Sequence, residues 1–333
     1  MSKTMLGLDF GACELKIAQI ESSRIKRLVT VPMPDNMVHD GVIVSYDAMG
    51  DFLKETLKTN KISGGNAAVI LPGSLVYLRR LTIPAMTEEQ LQVNLPYEFR
   101  DFLSESKDKY FYDYAVNSLR EEPGDEEDDV HQVLDLTAAA VAKSTIEVYR
   151  DMLRRAGLKL ATAIPVECAY SNVIRTFGKA DIKEYAFLDL GHTSTRLSIY
   201  TGDVFETFRT VDMGLSKLDT LISEDFSVDI HVARMYKQTD HLDCQTKENA
   251  KNLYGEITAE IRKAINFYSF NNRESQLQDL FLCGGGVHIP AYWKTMEENL
   301  EIKLHKASEF IEGADDTEED EDSFFGAIGA ALQ

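Results

Sequence analysis

Cysteine is scarce in this 333-residue chain: the four present, Cys13, Cys168, Cys244 and Cys283, lie far apart with no CxxC pair. That spacing argues against a zinc cluster and a disulfide framework. With an opening, MSKTMLGLDF, that shows no secretory leader, it fits a reducing cytoplasm. Long apolar runs are missing too. No stretch approaches the ~18–20 residues of a membrane-crossing helix, so a membrane role is expected to go through a partner and not through direct insertion. Basic residues are the third shortage, with 35 Lys and Arg against 55 Asp and Glu and a formal net charge of −20. Counterion-release binding to a phosphate backbone needs clustered cations, so nucleic acid is not an expected partner. Neither a GxxxxGK[ST] loop nor a GxGxxG turn after a strand occurs, which removes the P-loop and dinucleotide folds. The seven histidines lack ligand spacing, and no local signature assembles a Ser-His-Asp triad.

What is present is unevenly placed. Two runs, Glu121 to Asp129 and Glu309 to Asp322, hold seven and nine acidic residues and no basic one, which leaves the rest of the chain nearly neutral. Runs of this kind are expected to be solvated loops.

Residues Met5 to Val31 read as three short strands separated by the turns GACE and ESSR, a β-meander. A helix is expected from Asp47, with Met49, Phe52, Leu53 and Leu57 on one face, then the apolar strand AAVILP. Thr87 with Gln90 predicts a capping box for a helix that Pro96 must kink or end. KYFYDYAVN and QVLDLTAAAVA read as strands, Tyr110, Tyr112 and Tyr114 marking one sheet face. Ser144 with Glu147 predicts a second capping box, and Gly157 the end of its helix. The block from Ala85 to Ala156 is expected to be a small α/β insertion.

Near Tyr185 the opening pattern returns. LGLDFG from Leu6 to Gly11 matches AFLDLG from Ala186 to Gly191 at a constant offset, which also pairs Lys16 with Arg196. The repeat points to a duplicated α/β core. The second half continues with a helix after Gly214, a longer one carrying Leu253, Ile257, Ile261 and Ile265, the strand DLFLC, three glycines, a helix in IPAYWKTMEENL and a final small-residue helix, FFGAIGAAL.

Two strand-ending Asp-x-Gly turns facing each other across a cleft form a phosphate site. Glycine turns the chain sharply and offers bare backbone N–H groups to anions. Asp9 and Asp189 would hold the waters of a Mg²⁺, which keeps much of its hydration shell. His192, Thr193, Ser194 and Thr195 enrich the second turn, and Gly284, Gly285 and Gly286 supply a third loop that lets a nucleoside approach closely.

In this order and spacing the three loops resemble the actin-like ATPase superfamily. DFGACELK is similar to its first phosphate loop, DLGHTSTR to its second and CGGGVHIP to its adenosine loop, while IPVECA and SFFGAIGAAL resemble its two interdomain connectors. The stretches EEQLQVNLPYEFRDFL with FYDYAV, TAAAVAKSTIEVYRDMLRRAGLKLATAIPVECA and EIRKAINFYSF narrow the resemblance to the PilM and FtsA branch, which carries its insertion where 85–156 lies here. The implied architecture is two actin-like halves, 1–84 with 157–180 and 181–333, the second with a helical subdomain at 226–280.

The resemblance implies a cytoplasmic, ATP- and Mg²⁺-binding protein. It would dock the N-terminal tail of a bitopic, PilN-like membrane partner on the inner face of the membrane, in a pilus or competence machine. Nucleotide contacts would come from Gly11, Ala12, Cys13 and Lys16 in the first loop, and from Gly191, His192, Thr193 and Thr195 in the second. Gly214, Lys263 and Gly284, Gly285 and Gly286 complete that set, and Asp9, Glu167 and Asp189 are candidates for catalysis. The first loop departs from the family pattern: Ala12, Cys13 and Glu14 stand where hydroxyl side chains are usual, so hydrolysis is expected to be slow or absent. The rival reading is an FtsA-like filament ATPase that self-associates. Such proteins end in a membrane-binding helix, whereas FGAIGAALQ is already used as the connector. A sugar kinase or a chaperone would need a further substrate domain.

Overall fold

The computed structural model describes residues 4–123, 130–178, 182–311 and 321–332. The two acidic runs fall mostly outside the described residues, and so does the reading of them as solvated loops. The expected meander forms as β1 (Thr4–Phe10), β2 (Glu14–Glu21) and β3 (Arg24–Pro32). A short hairpin follows, β4 (Val38–His39) with β5 (Val42–Ile43), then α1 (Tyr46–Thr59) and β6 (Asn66–Leu71). Ser45 caps α1, its hydroxyl accepting from the Ala48 N–H, so the helix begins a residue before the expected start.

Next come β7 (Val76–Pro84), α2 (Glu88–Glu98), β8 (Tyr110–Pro123), β9 (Val130–Ala142), α3 (Lys143–Arg155), β10 (Lys159–Pro165) and α4 (Val166–Phe177). The capping box of α2 is reciprocal: Thr87 Oγ1 accepts from the Gln90 N–H at 3.3 Å, and Gln90 Oε1 accepts from the Thr87 N–H at 2.9 Å. Pro96 sits in the last turn, and the helix stops two residues later. The second expected box does not form. The chain passes directly from β9 into α3, Ala142 is the N-cap and no side chain caps the helix. The tyrosines fare as expected: Tyr110 is buried, and Tyr112 and Tyr114 join Leu91, Leu95 and Phe99 of α2 and its end in one core.

The second half runs β11 (Glu184–Leu190), β12 (Thr195–Thr201), β13 (Val204–Val211), α5 (Leu215–Phe226), α6 (Ile230–Thr239), α7 (Glu248–Asn271), β14 (Asp279–Cys283), α8 (Pro290–Asn299), β15 (Lys303–Lys306) and α9 (Glu321–Ala331). Its sheet has the order β13-β12-β11-β14-β15, and the first has the order β3-β2-β1-β6-β10. Each is an antiparallel meander extended by two parallel strands. Asp9 pairs with Lys16 and Asp189 with Arg196 in the two equivalent registers, so the repeat seen in the sequence is a repeat of structure.

One face of each sheet is covered by its own helices: α1 and α3 on the first, α5, α7 and α8 on the second. The other two faces share a core in which α4 and α9 cross, with the rings of Phe187 and Phe325 stacked 4.9 Å apart. The third sheet has the order β7-β9-β8 and carries α2. Because β7 pairs with β9 along nine residues, Val76 to Pro84, and because Tyr149, Met152 and Leu153 of α3 are buried against the first half, we place the insertion at β7 to β9. Ala85 to Ala156 thus starts a strand late and ends a helix late.

Candidate functional site

β1 and β11 end side by side at a cleft of about 1320 Å³ lined from both halves. After β1 the chain closes a tight turn in which the Gly11 N–H donates to the Glu14 carbonyl at 3.0 Å. A Cβ on Gly11 would lie 2.9 Å from that oxygen, and one on Gly191 would lie 2.7 Å from the Ser194 carbonyl, so the same turn is built twice. Asp9 and Asp189 precede these turns and line the cleft with Lys16 between their charges. Burial raises both carboxyl pKa values above the usual aspartate range. Lys16 opposes the rise in each, and the charge of Asp189 adds to the rise at Asp9. Lys16 acts on both carboxylates and Arg196 on Asp189 as well, and a further cation at this spot would favour their ionised forms. Beneath them lies a recess of about 30 Å³ between Asp9, Lys16, Asp189 and Gly284, room for a water or two.

The third loop is held to this floor by a backbone only glycine adopts. Gly284 has φ +82° and ψ 174°, and a Cβ there would sit 2.3 Å from Asp189 Oδ1. Its N–H donates to the Asp322 carbonyl at 3.1 Å, which ties the loop to the start of α9. Gly285 faces open space.

The structure brings most of the expected residues together: Gly11, Ala12, Cys13 and Lys16 line the cleft opposite Gly191, His192 and Thr193, with Gly284 and Gly285 on the same wall. Glu14 lines it as well. Three others support the wall from behind. Thr195 is buried and donates to the Met213 carbonyl at 2.9 Å. Gly214 precedes α5, where a Cβ would strike the His192 carbonyl at 2.5 Å, and Gly286 is buried against Leu190. Glu167 is buried in the first turn of α4 and pairs with Arg196, whose guanidinium lies 4.1 Å above the Phe208 ring. Burial raises the Glu167 pKa and the Arg196 charge opposes it. Arg196, not Glu167, is the member of that pair that lines the cleft.

Lys263 lies elsewhere. Its side chain is 70% exposed and its Nζ is 2.6 Å from Glu260 Oε1 on the same helix. The four-residue spacing identified α7, but its buried stripe is Leu253, Ile257 and Ile261, and Lys263 is off that stripe. Sequence reasoning passed over Asp219, Arg234 and Lys237. Asp219 is buried on α5; Arg234 Nε of α6 is 3.2 Å from its Oδ2, and Lys237 Nζ is 2.5 Å from its Oδ1. Arg234 and Lys237 both line the cleft. The i, i+3 spacing of two cations was the available signal. Beside them the His192 pKa is lowered to about 4, mainly by burial, so its ring is neutral at pH 7.

The sequence profile of the type IV pilus assembly protein PilM family matches residues 7–332. The chain belongs to that family. Among solved structures it is similar to a PilM-PilN type IV pilus biogenesis complex, with 20% identity over 98% of this chain and 97% of the other and a TM-score of 0.75. It also resembles the ethanolamine utilization protein EutJ from Carboxydothermus hydrogenoformans, with 11% identity over 100% and 89% of the two chains and a TM-score of 0.61. These likenesses show the actin-like fold. No curated protein is similar enough in sequence to count as a match. Among the described residues, no helix is long and apolar enough to cross a membrane.

Proposed function

We propose that this member of the PilM family binds Mg²⁺-ATP between its two halves and docks the cytoplasmic N-terminal tail of a bitopic, PilN-like membrane protein. It would thereby stand at the inner face of the membrane as part of a type IV pilus platform. The observation that carries the nucleotide reading is the doubled Asp-x-Gly turn with Gly284 pressed against Asp189. The chain's own residues fit the group: Asp9 and Asp189 would hold the hydration shell of Mg²⁺ over the small recess. Backbone N–H groups of Gly11 to Cys13 and Gly191 to Thr193 would receive phosphate oxygens, and Gly284 and Gly285 would leave room for the nucleoside. Bound metal would supply charge neutralisation to the phosphates.

Turnover is a separate matter. Ala12 and Cys13 donate no hydroxyl hydrogen bond, and Glu14 lines the cleft beside them, so ATP acts here as a structural ligand. Calorimetry with Mg²⁺-ATP tests the site. Binding should be lost in Asp189→Ala and in Gly285→Val, and equal affinity in both variants would remove the assignment.

For the tail, the free edge of the insertion sheet supports docking. Among the described residues β8 pairs only with β9, and it exposes Phe111, Val116 and Leu119. An extended peptide added to such an edge gains main-chain hydrogen bonds and side-chain pockets together. A pull-down with synthetic N-terminal tails of membrane proteins encoded beside this chain should capture the parent protein and not a Phe111→Ser, Val116→Ser, Leu119→Ser variant that still binds ATP. Undiminished capture would refute this edge, and self-association in place of peptide capture would favour the filament reading.

A further inference from the structure

We propose that Arg80 is a clasp between the cleft and the insertion, through which Mg²⁺-ATP held between the halves tightens docking of the partner's tail on β8. The inference rests on both binding readings above and adds the link between them.

The guanidinium uses all three of its nitrogens. Nε donates to Asp135 Oδ1 at 3.0 Å, Nη2 pairs with Asp135 Oδ2, and Nη1 pairs with Glu206. Asp135 is buried on β9, the central strand of the insertion sheet, whereas Glu206 lies on β13, the edge of the second-half sheet. One arginine thus joins two separate sheets. Its partners are unequal: Asp135 grips it with both oxygens from a buried position, and Glu206 is reached through one nitrogen. When Glu206 turns away, Arg80 keeps a full counter-charge in Asp135. This side of the clasp can therefore open without stranding a charge.

Backbone irregularities at both ends aim side chains at the same point. β13 pairs with β12 as Phe205 with Tyr200 and Thr207 with Ile199, which leaves Glu206 as the extra residue of a bulge. β8 pairs with β9 as Val116 with Leu136 and Ser118 with Asp135, which leaves Asn117 as the extra residue of another. A bulge gives up a ladder position and re-aims a side chain. Glu206 meets Arg80 in this way. Asn117 turns inward: its Nδ2 donates to Thr137 Oγ1 at 3.1 Å, and its side chain also bonds Asp135. Thr137 stands opposite Arg80 in the β7–β9 ladder. The polar chain runs from Glu206 through Arg80 and Asp135 to Asn117, and it reaches the strand offered to the tail beside the exposed Val116.

The other end of β13 belongs to the cleft. Phe208 and Thr210 line it, and Arg196, 4.1 Å above the Phe208 ring, also pairs with Glu167 of α4. A ligand held between the halves fixes β13 relative to the first half, which carries the insertion. The closed clasp is then favoured and β8 is held in one orientation, which lowers the ordering cost of adding a peptide. By linkage each ligand should strengthen the other to the same extent.

The test measures, by calorimetry, binding of synthetic N-terminal tails of membrane proteins encoded beside this chain, with and without saturating Mg²⁺-ATP. It compares the parent with Glu206→Gln, which keeps the Arg80–Asp135 pair. In the parent, nucleotide should tighten the tail about fivefold or more; in Glu206→Gln that gain should vanish while each ligand still binds alone. Hydrogen exchange reads the same link without the tail: Mg²⁺-ATP should slow exchange in β8 of the parent and not of the variant. A merely structural ion pair would lower the variant's melting temperature and leave the nucleotide effect on tail and β8 intact. That result, or a parent in which both ligands bind with no mutual effect, would overturn the clasp alone. A parent that binds no Mg²⁺-ATP removes the nucleotide reading, and one that captures no tail removes the edge reading; either takes the clasp with it.

Discussion

Replacing Gly284 by alanine separates two things glycine does in the third loop. At φ +82° and ψ 174° the backbone lies in a region reached almost only by glycine, and a side chain held there costs about 1–3 kcal/mol. The added Cβ would also lie 2.3 Å from Asp189 Oδ1 and 3.1 Å from both the N and O of Leu190. Since Leu190 is β-strand backbone, the carboxylate must yield first, and it sits in a packed floor. Strain and displacement together are expected to destabilise the protein by about 3 kcal/mol. At roughly 2.1 cal/mol/K per residue, a chain of 333 residues loses about 0.7 kcal/mol per degree, so the melting temperature should fall by ~4 °C. Gly285→Ala is the control, because nothing lies within 4 Å of its Cβ; its melting temperature should match the parent, while nucleotide affinity falls as the methyl enters the cleft. Both are read by thermal melting with and without Mg²⁺-ATP. A Gly284→Ala protein as stable as the parent would refute the argument that this loop is fixed by Asp189.

Restoring serine at Ala12 and Cys13 should strengthen ATP binding, measured by calorimetry, and unchanged affinity would show that the first loop is not limiting. The parent protein should hydrolyse ATP well below ~1–10 per second in a phosphate-release assay; turnover in that range would end the structural-ligand reading. Asp135 in β9 gives a pH prediction. Arg80 bridges it to Glu206 of β13, with Arg80 Nε 3.0 Å from Asp135 Oδ1, and the arginine's hydrogen bonds hold the Asp135 pKa below the usual 3.8. Its contribution is thus fully present above the unfolded pKa and lost as pH falls through the lower folded value. Asp135→Asn should therefore cost about 2 kcal/mol at pH 7 and flatten the loss of stability below about pH 4, as followed by urea unfolding; an unchanged acid slope would discount the pair.

The parts of this fold written in local pattern were readable from the sequence. The meander, the capping box at Thr87, the apolar stripe of α7 and the doubled Asp-x-Gly turn all depend on residues a few positions apart, and each appears where its spacing placed it. What escaped depends on contacts between distant elements. Lys263 shares its helix with the buried stripe, but periodicity gives a helix's faces without saying which one meets the cleft. Asp219 and its two cations come from α5 and α6, and only packing turns an ordinary helix residue into a buried carboxylate. The limits of the insertion shifted for the same reason: Val76 to Pro84 reads as another strand of the first half until it is seen to pair with β9.

The crossing of α4 and α9 has a consequence for how the chain is made. The first strand cannot be covered by its neighbours alone, because α9 lies directly on it: a Cβ on Gly7 would meet the Ala327 carbonyl at 1.8 Å. Part of the cover over Met5, Ala18 and Ile20 therefore comes only with α9. At ribosomal speeds of about 5–20 residues per second this is a wait on the order of 15–60 s. During that time the insertion, whose sheet and helix are contiguous in sequence, can already be folded. The nascent protein thus emerges with one finished module attached to a half-built sheet, and α9, made long after β1, serves as the closing piece for that strand.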